Sequence, residues 1–269
     1  MLDFVKMQAA GNDYLYFECL NSAIKEPERV AKELCPRRFS VGADGIVLIE
    51  PSKVADAKMR IFNADGSEAR MCGNAARCVA KLLFEKGYAR RSHIRIETLS
   101  GVRDVYLTVK DGRVGLITVD MGAVIAVGEP YFLCARGEKY EVRGFDVGNP
   151  HRVGFVRDVD ALPLDGIARA GEGDAHFPDG VNTEFYEKLD KNRIKVRVFE
   201  RGSGETLSCG TGACASSAAA VLSGECERGA TVRVLMRGGE LVVRFDDDMR
   251  AYLTGDAQMV FEGRVKMQN

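Results

Sequence analysis

The sequence has no surplus of charge of either sign: 38 Lys and Arg stand against 39 Asp and Glu, for a net charge of -1. No overall field exists that would hold nucleic acid or an anionic membrane, so a ligand must be caught by a local site. A long apolar run is also missing. The uncharged stretch of most interest, Ala213 to Gly224, is well short of the roughly 18 apolar residues a membrane span requires. The amino-terminal MLDFVKMQ places Asp3 and Lys6 where a secretion signal would be apolar, so the expected location is the cytoplasm. Eight cysteines are too few for a disulfide scaffold in 269 residues, and no CxxC pair occurs, which removes zinc knuckles and thioredoxin-type motifs. Cys19, Cys35, Cys134 and Cys226 are expected to be small apolar core residues. With 46% hydrophobic and 29% charged residues the chain can bury a full core, and its length suits two domains.

What is present is a repeat. Phe62 to Cys78, FNADGSEARMCGNAARC, aligns without a gap on Phe199 to Cys214, FERGSGETLSCGTGAC, so that Glu68 falls on Glu205, Cys72 on Cys209, Gly73 on Gly210 and Ala76 on Ala213. The offset is 137 residues, and the same offset carries Gly11-Asn12 onto Gly148-Asn149, far upstream of either cysteine. Two separated matches at one offset indicate a duplicated domain rather than a solenoid, whose period is typically 20–50 residues. The halves are expected at 1–120 and 121–260, with a boundary near Gly122 to Pro130 and the segment 256–269 packing back on the first half. Duplicated domains of this size commonly face one another across a cleft, which would present two equivalent cysteines to one substrate.

Around each cysteine the pattern changes from loop to helix. Asn74 to Lys86 carries Ala75, Val79, Leu82 and Leu83 at helical spacing, and the run after Cys209 is small or apolar on every face, as in a buried helix. Most other periodic segments read as strands, and Lys110-Asp111-Gly112 and Arg237-Gly238-Gly239 read as hairpin turns between them. Alternation of strands with helices is not visible in these segments. The expected fold is therefore α+β: two pseudo-symmetric domains, each a mostly antiparallel sheet curled around a central helix, with the active site in the cleft between them. A further helix, Pro27 to Leu34, is expected outside the sheet.

A cysteine at a helix start meets unpaired backbone N–H groups and the positive end of the macrodipole, both of which favour thiolate and draw the pKa toward neutrality. The glycine after it, Gly73 or Gly210, leaves the backbone open to a carboxylate. That pairing can hold an α-amino acid while a thiolate reaches its α-hydrogen. A cysteine hydrolase would need one nucleophile and one histidine base, whereas the repeat supplies two equivalent cysteines. Of three histidines only His151, inside the GNPH segment that matches Gly11-Asn12, is expected near the cleft; His93 and His176 read as surface or strand residues.

The segments AAGNDY (Ala9 to Tyr14), RFSVGADG (Arg38 to Gly45), the two cysteine motifs, VGNPHRV (Val147 to Val153) and GVNTEF (Gly180 to Phe185) together resemble the diaminopimelate epimerases, in order and over nearly the whole chain. The resemblance implies a two-domain epimerase that needs no cofactor and no metal and interconverts LL- and meso-2,6-diaminopimelate on the route to lysine and peptidoglycan. It implies Cys72 and Cys209 as the acid/base pair, and His151 and Glu200 as groups that polarise the thiols. Substrate contacts carry over to Asn12, Asn63, Gly73, Asn74, Asn149, Asn182, Glu200, Arg201, Gly210 and Thr211. After GAD some relatives have a Gln that touches substrate, where this chain has Gly45. The expected partners are the small-molecule substrate and a second copy of the chain. Read from the residues alone, three alternatives stand beside this. A proline or hydroxyproline racemase would share the cysteine pair but not need Arg201 or Asn63. An isomerase of the same fold would lack the cysteines, and a non-catalytic amino-acid-binding protein would have no use for two thiols.

Overall fold

Strands that are buried on both faces need cover on both sides, and that requirement organises each half of the chain. The structure, a computed structural model, describes residues 1–267, so the last two residues of the 256–269 segment lie outside the described residues. Two compact units are present, Met1–Val119 with the segment from Thr254 onward, and Asp120–Leu253. The first unit holds β1 (Leu2–Ala9), β2 (Asn12–Glu18), α1 (Pro27–Leu34), β3 (Gly45–Glu50), β4 (Ala57–Asn63), β5 (Glu68–Ala69), α2 (Gly73–Glu85), β6 (His93–Thr98), β7 (Gly101–Lys110) and most of β8 (Arg113–Ala123). The second holds β9 (Ile125–Ala135), β10 (Glu138–Asp146), β11 (Pro150–Phe155), α3 (Leu164–Ala170), β12 (Asn182–Asp190) and β13 (Arg193–Glu200). It continues with β14 (Gly204–Thr206), α4 (Gly210–Leu222), β15 (Thr231–Met236), β16 (Gly239–Phe245) and most of β17 (Arg250–Gly255), after which β18 (Gln258–Val265) returns to the first unit beside β1.

The pairing of the first unit is reproduced in the second at the sequence offset. The parallel pair β2–β3 sets Tyr14 opposite Gly45, and β11–β12 sets His151 opposite Asn182. The short hairpin β4–β5 sets Phe62 opposite Glu68, and β13–β14 sets Phe199 opposite Glu205. Both sheets are mostly antiparallel, with parallel pairs also at β4–β6 and β13–β15. Each parallel pair is bridged by a helix, in order α1, α2, α3 and α4. The sequence-based expectation that strands do not alternate with helices is corrected here. β2 (NDYLYFE) and β3 (GIVLIE) are buried along almost their whole length, so they lack the period-2 signal by which half-exposed strands are recognised.

Alternation then sorts the side chains between two faces. Leu15, Phe17, Ile46, Leu48 and Phe62 pack with Val30 and Leu34 of α1, which leaves Tyr14, Tyr16, Val47 and Asn63 on the face of α2. In the second unit Phe185 and Phe199 pack with Ile167 and Ala168 of α3, which leaves His151, Glu184 and Glu200 on the face of α4. The expected helix 27–34 is found at those limits and lies on the sheet face opposite α2. Ten of the thirteen residues of α2 and nine of the thirteen of α4 are buried. Asp111 and Gly112 both take positive φ, 50° and 73°, as the tight reversal between β7 and β8 requires. One cysteine departs from expectation: Cys134 lies in β9, a strand with little cover, and is exposed. No helix among the described residues is long and apolar enough to cross a membrane.

The duplicated ion pairs Arg60–Glu68 and Arg197–Glu205 occupy equivalent positions at 2.7 Å each, in different surroundings. Arg60 is 28% exposed, while Arg197 is 7% exposed and also donates to the carbonyls of Val159, Asp160 and Leu162. Arg197→Met is expected to cost about 2–4 kcal/mol in denaturant unfolding, because it strands buried acceptors, and Arg60→Met less than about 1 kcal/mol. Equal losses in the two variants would refute this account.

Candidate active site

A buried helix leaves its first N–H groups without intrahelical partners, and both central helices answer that need with sulfur. Cys72 is the N-cap of α2 (φ -144°, ψ 118°), its Sγ accepting from the Ala75 N–H at 3.5 Å. Cys209 is the N-cap of α4 (φ -131°, ψ 117°), its Sγ accepting from the Gly212 N–H at 3.4 Å. Gly73 and Gly210 open the helices, as the sequence places them.

In the first unit the Cys72 thiol, partly exposed, donates to Asn12 Oδ1 at 3.5 Å. Asn74 Nδ2 reaches the same oxygen at 3.4 Å, and Asn12 Nδ2 donates to Asp44 Oδ2 at 2.8 Å. Asp44 also takes the Asp13 N–H and is paired with Arg37, which spans Asp13 and Asp44. Burial alone would raise the Asp13 carboxyl, but hydrogen bonds from Arg37 and Lys6 outweigh it and hold the group below its ordinary value. Asn12 thus follows a tight turn, with Gly11 at φ 79°, and is turned toward the cysteine by an acid not singled out from sequence. Asn63 is occupied in its own turn, its Nδ2 donating to Ser67 Oγ at 3.0 Å. At Gly45 a Cβ would lie 2.3 Å from the Phe62 carbonyl oxygen and 2.8 Å from the Tyr14 ring, so this backbone admits no side chain there.

In the second unit Cys209 is 6% exposed, and Thr211 Oγ1 lies 3.3 Å from its sulfur. His151, fully buried, has Nδ1 2.8 Å from Glu184 Oε1 and Nε2 3.1 Å from Asn149 Oδ1. Glu184 is also fully buried and its second oxygen has no hydrogen-bond partner. Glu200 accepts from Thr206 at 2.5 Å. Burial raises its pKa, and the Glu184 charge adds to the rise against the hydrogen bond from Thr206. Burial, then the charges of Glu200 and Glu184, push the Cys209 thiol well above its ordinary value. At Cys209 burial and the two carboxylates thus act against the helix start. Glu184 was missed from sequence although it lies in the GVNTEF segment. Its partner of the repeat is Val47, and only the fold shows that its strand face turns to α4.

Asn182 and Arg201 form a neighbouring cluster, with Asn182 Oδ1 accepting the Arg201 N–H at 2.9 Å. The Arg201 guanidinium donates to the Asp179 carbonyl on an exposed side chain whose Cδ and Cγ lie close to Gly180. Each unit thus contains one capped cysteine with its polar neighbours: Asn12, Gly73 and Asn74 in the first, and Asn149, His151, Glu200, Gly210 and Thr211 in the second.

Comparison with known proteins identifies the family. The family described as diaminopimelate epimerase matches residues 4–127 and 145–260. The diaminopimelate epimerase of Acetivibrio thermocellus is 45% identical, covering 98% of each chain. That of Methanococcus maripaludis is 44% identical, covering 98% of this chain and 99% of its own. Among solved structures, a probable proline racemase from Agrobacterium radiobacter superposes with a TM-score of 0.80 at 16% identity, over 100% of this chain and 94% of that one, and so shares the fold.

Removing one negative charge beside Cys209 has a defined sign. Glu200→Gln is expected to lower the pH midpoint at which iodoacetamide alkylates Cys209, because the thiolate then forms against one charge fewer. A midpoint that stays put or rises would show that Glu200 does not act on the sulfur.

Proposed function

We propose, for a chain that belongs to the diaminopimelate epimerase family, that it interconverts LL- and meso-2,6-diaminopimelate by a two-cysteine acid/base reaction that uses no cofactor. The observation that carries this reading is the equivalence of Cys72 and Cys209: two helix N-caps at matching positions of a duplicated sheet, each followed by a glycine. One sulfur as thiolate takes the α-hydrogen; the other, as thiol, returns a proton to the opposite face of the same carbon. The open N–H groups of the helix starts are suited to the carboxylate of the reacting centre, and to the negative charge that spreads onto it as the proton leaves. His151, Glu184 and Glu200 act on Cys209, keeping its proton until the carbanion demands it.

The distal amino-acid group of the substrate needs a receptor that the reacting end does not. Arg201 supplies it, because its counterpart in the repeat is Ala64 and its guanidinium has donors to spare for a bidentate carboxylate. Asn182 holds the Arg201 backbone beside it, and Asn63 is carried over as a substrate contact by the family resemblance. The same reading makes the enzyme a cytoplasmic homodimer in lysine and peptidoglycan precursor synthesis, supported by the family resemblance.

LL-diaminopimelate in D2O, followed by NMR, is expected to exchange its α-hydrogen and yield the meso isomer. Cys72→Ala and Cys209→Ala should each lose at least about 100-fold in turnover while remaining folded. A single mutant that retains most of its activity ends the two-base mechanism, and turnover of proline in place of diaminopimelate ends the substrate assignment. Arg201→Met is expected to cost about 2–5 kcal/mol in transition-state stabilisation and to narrow the preference for diaminopimelate over amino acids with one carboxylate. Lost thermal stability with unchanged discrimination would make Arg201 structural.

A further inference from the structure

The two cysteines share a backbone setting but not an electrostatic one. Under Cys209 lie Glu184 and Glu200, whose counterparts in the first unit are Val47 and Asn63. Near Cys72 lies Arg77, whose counterpart in the second unit is Cys214. Arg77 is fully buried in α2, one turn beyond the start of the helix. Its Nε donates to the Asp256 carbonyl at 3.0 Å and its Nη2 to Asn74 Oδ1 at 2.9 Å, while Nη1, also buried, has no hydrogen-bond partner. Among the described residues no carboxylate stands within ion-pair distance of it. A cation buried this way is costly unless its charge is used, since desolvation is not offset by a counter-ion.

The hydrogen bonds give the charge a direction of action. Arginine only donates, so Asn74 must turn its oxygen to Arg77 and its amide nitrogen to Asn12 Oδ1. Asn12 Oδ1 in turn receives the Cys72 thiol. Two further groups beside this sulfur stay uncharged. Burial, with Cys78 beside it, holds the Tyr16 phenol well above its ordinary value, and burial pushes the Cys78 thiol up to about 12, so both stay protonated at neutral pH. The Asp256 side chain is exposed and engaged by Gln258, and Asp44 acts on Cys72 only through Asn12. We infer that Arg77 is a positioning residue for Cys72: it fixes the Asn74 side chain beside the Asn12–Cys72 contact and supplies a buried positive charge that favours the anionic sulfur, against the Asn12 oxygen, whose acceptance of the thiol proton favours the neutral form. The inference rests on the epimerase reading for its purpose, since it makes Cys72 the better base and leaves Cys209, among carboxylates, the better acid.

The test reads the sulfurs directly, without substrate. Iodoacetamide labelling across pH, with Cys72 and Cys209 resolved by peptide mass spectrometry, is expected to give Cys72 a midpoint below about 8.5, the ordinary cysteine value, and Cys209 one above it. Arg77→Met should raise the Cys72 midpoint by about one pH unit, a roughly tenfold slower labelling at neutral pH, and leave Cys209 unmoved. Arg77→Lys should recover part of the effect. Asn12 stays fixed by Asp44 in these variants, so loss of its alignment cannot imitate the shift. A folded Arg77→Met protein with an unchanged Cys72 midpoint overturns the inference. Should that variant not fold, Arg77→Gln is read in its place, a raised Cys72 midpoint supporting the inference and an unchanged one overturning it. If diaminopimelate is not turned over but the Cys72 midpoint responds to Arg77, the function assigned to the site fails and the role of Arg77 stands.

Discussion

A helix enclosed by a sheet still has to satisfy the N–H groups of its first turn, and the use of cysteine for that task is the constraint on which the rest of this molecule turns. Serine or aspartate would cap α2 and α4 more strongly in the ordinary sense. Sulfur caps weakly, at 3.4–3.5 Å, and can change its protonation state without dismantling the helix. Because each cap is the residue just before a glycine, the sulfur and a bare stretch of backbone donors are delivered together. The surrounding strands then decide what each sulfur sees, since the period of two fixes which side chains reach the helix face.

The two halves show how far one backbone can be driven in opposite electrostatic directions. Tyr14, Val47 and Asn63 line the α2 face where His151, Glu184 and Glu200 line the α4 face, with strand register unchanged between them. Neutral residues on one side and a buried acid–histidine group on the other mean that the duplicated sheet serves as a common scaffold. The chemistry is written in three or four substitutions per half. The asymmetry of Arg77 against Cys214 belongs to the same set.

Much of this is legible in the sequence alone. The cysteine motifs, the offset of the repeat, the helices 27–34 and after each cysteine, and the hairpin at Asp111-Gly112 all carry local signals: glycine after a cap, apolar spacing near 3.6, paired positive-φ residues. The strands β2, β3, β11 and β12 were not readable as such, because burial on two faces erases alternation. That loss hid the strand–helix–strand crossovers, and with them the faces on which Asp44, Glu184 and Arg77 work. Asp44, Glu184 and Arg77 all lie inside motifs that sequence singled out. What their type alone could not say was whether each side chain met the sulfur or the opposite layer. Cys134 was misjudged for the converse reason, since nothing local distinguishes a cysteine on a thinly covered strand from one in the core.

The constancy of the offset carries a consequence for what the chain can tolerate. From β1 to β8 against β10 to β17, every helix and strand start falls within a residue of its counterpart, although most positions of the intervening loops differ. Loop lengths in this fold therefore behave as rulers rather than slack. An inserted residue between β4 and α2, or between β13 and α4, would rotate the first turn of the helix and carry a sulfur off its aim, even if the sheet closed normally around it. Between the two halves of this chain, variation has gone into side-chain identity while the contour length from element to element is nearly kept.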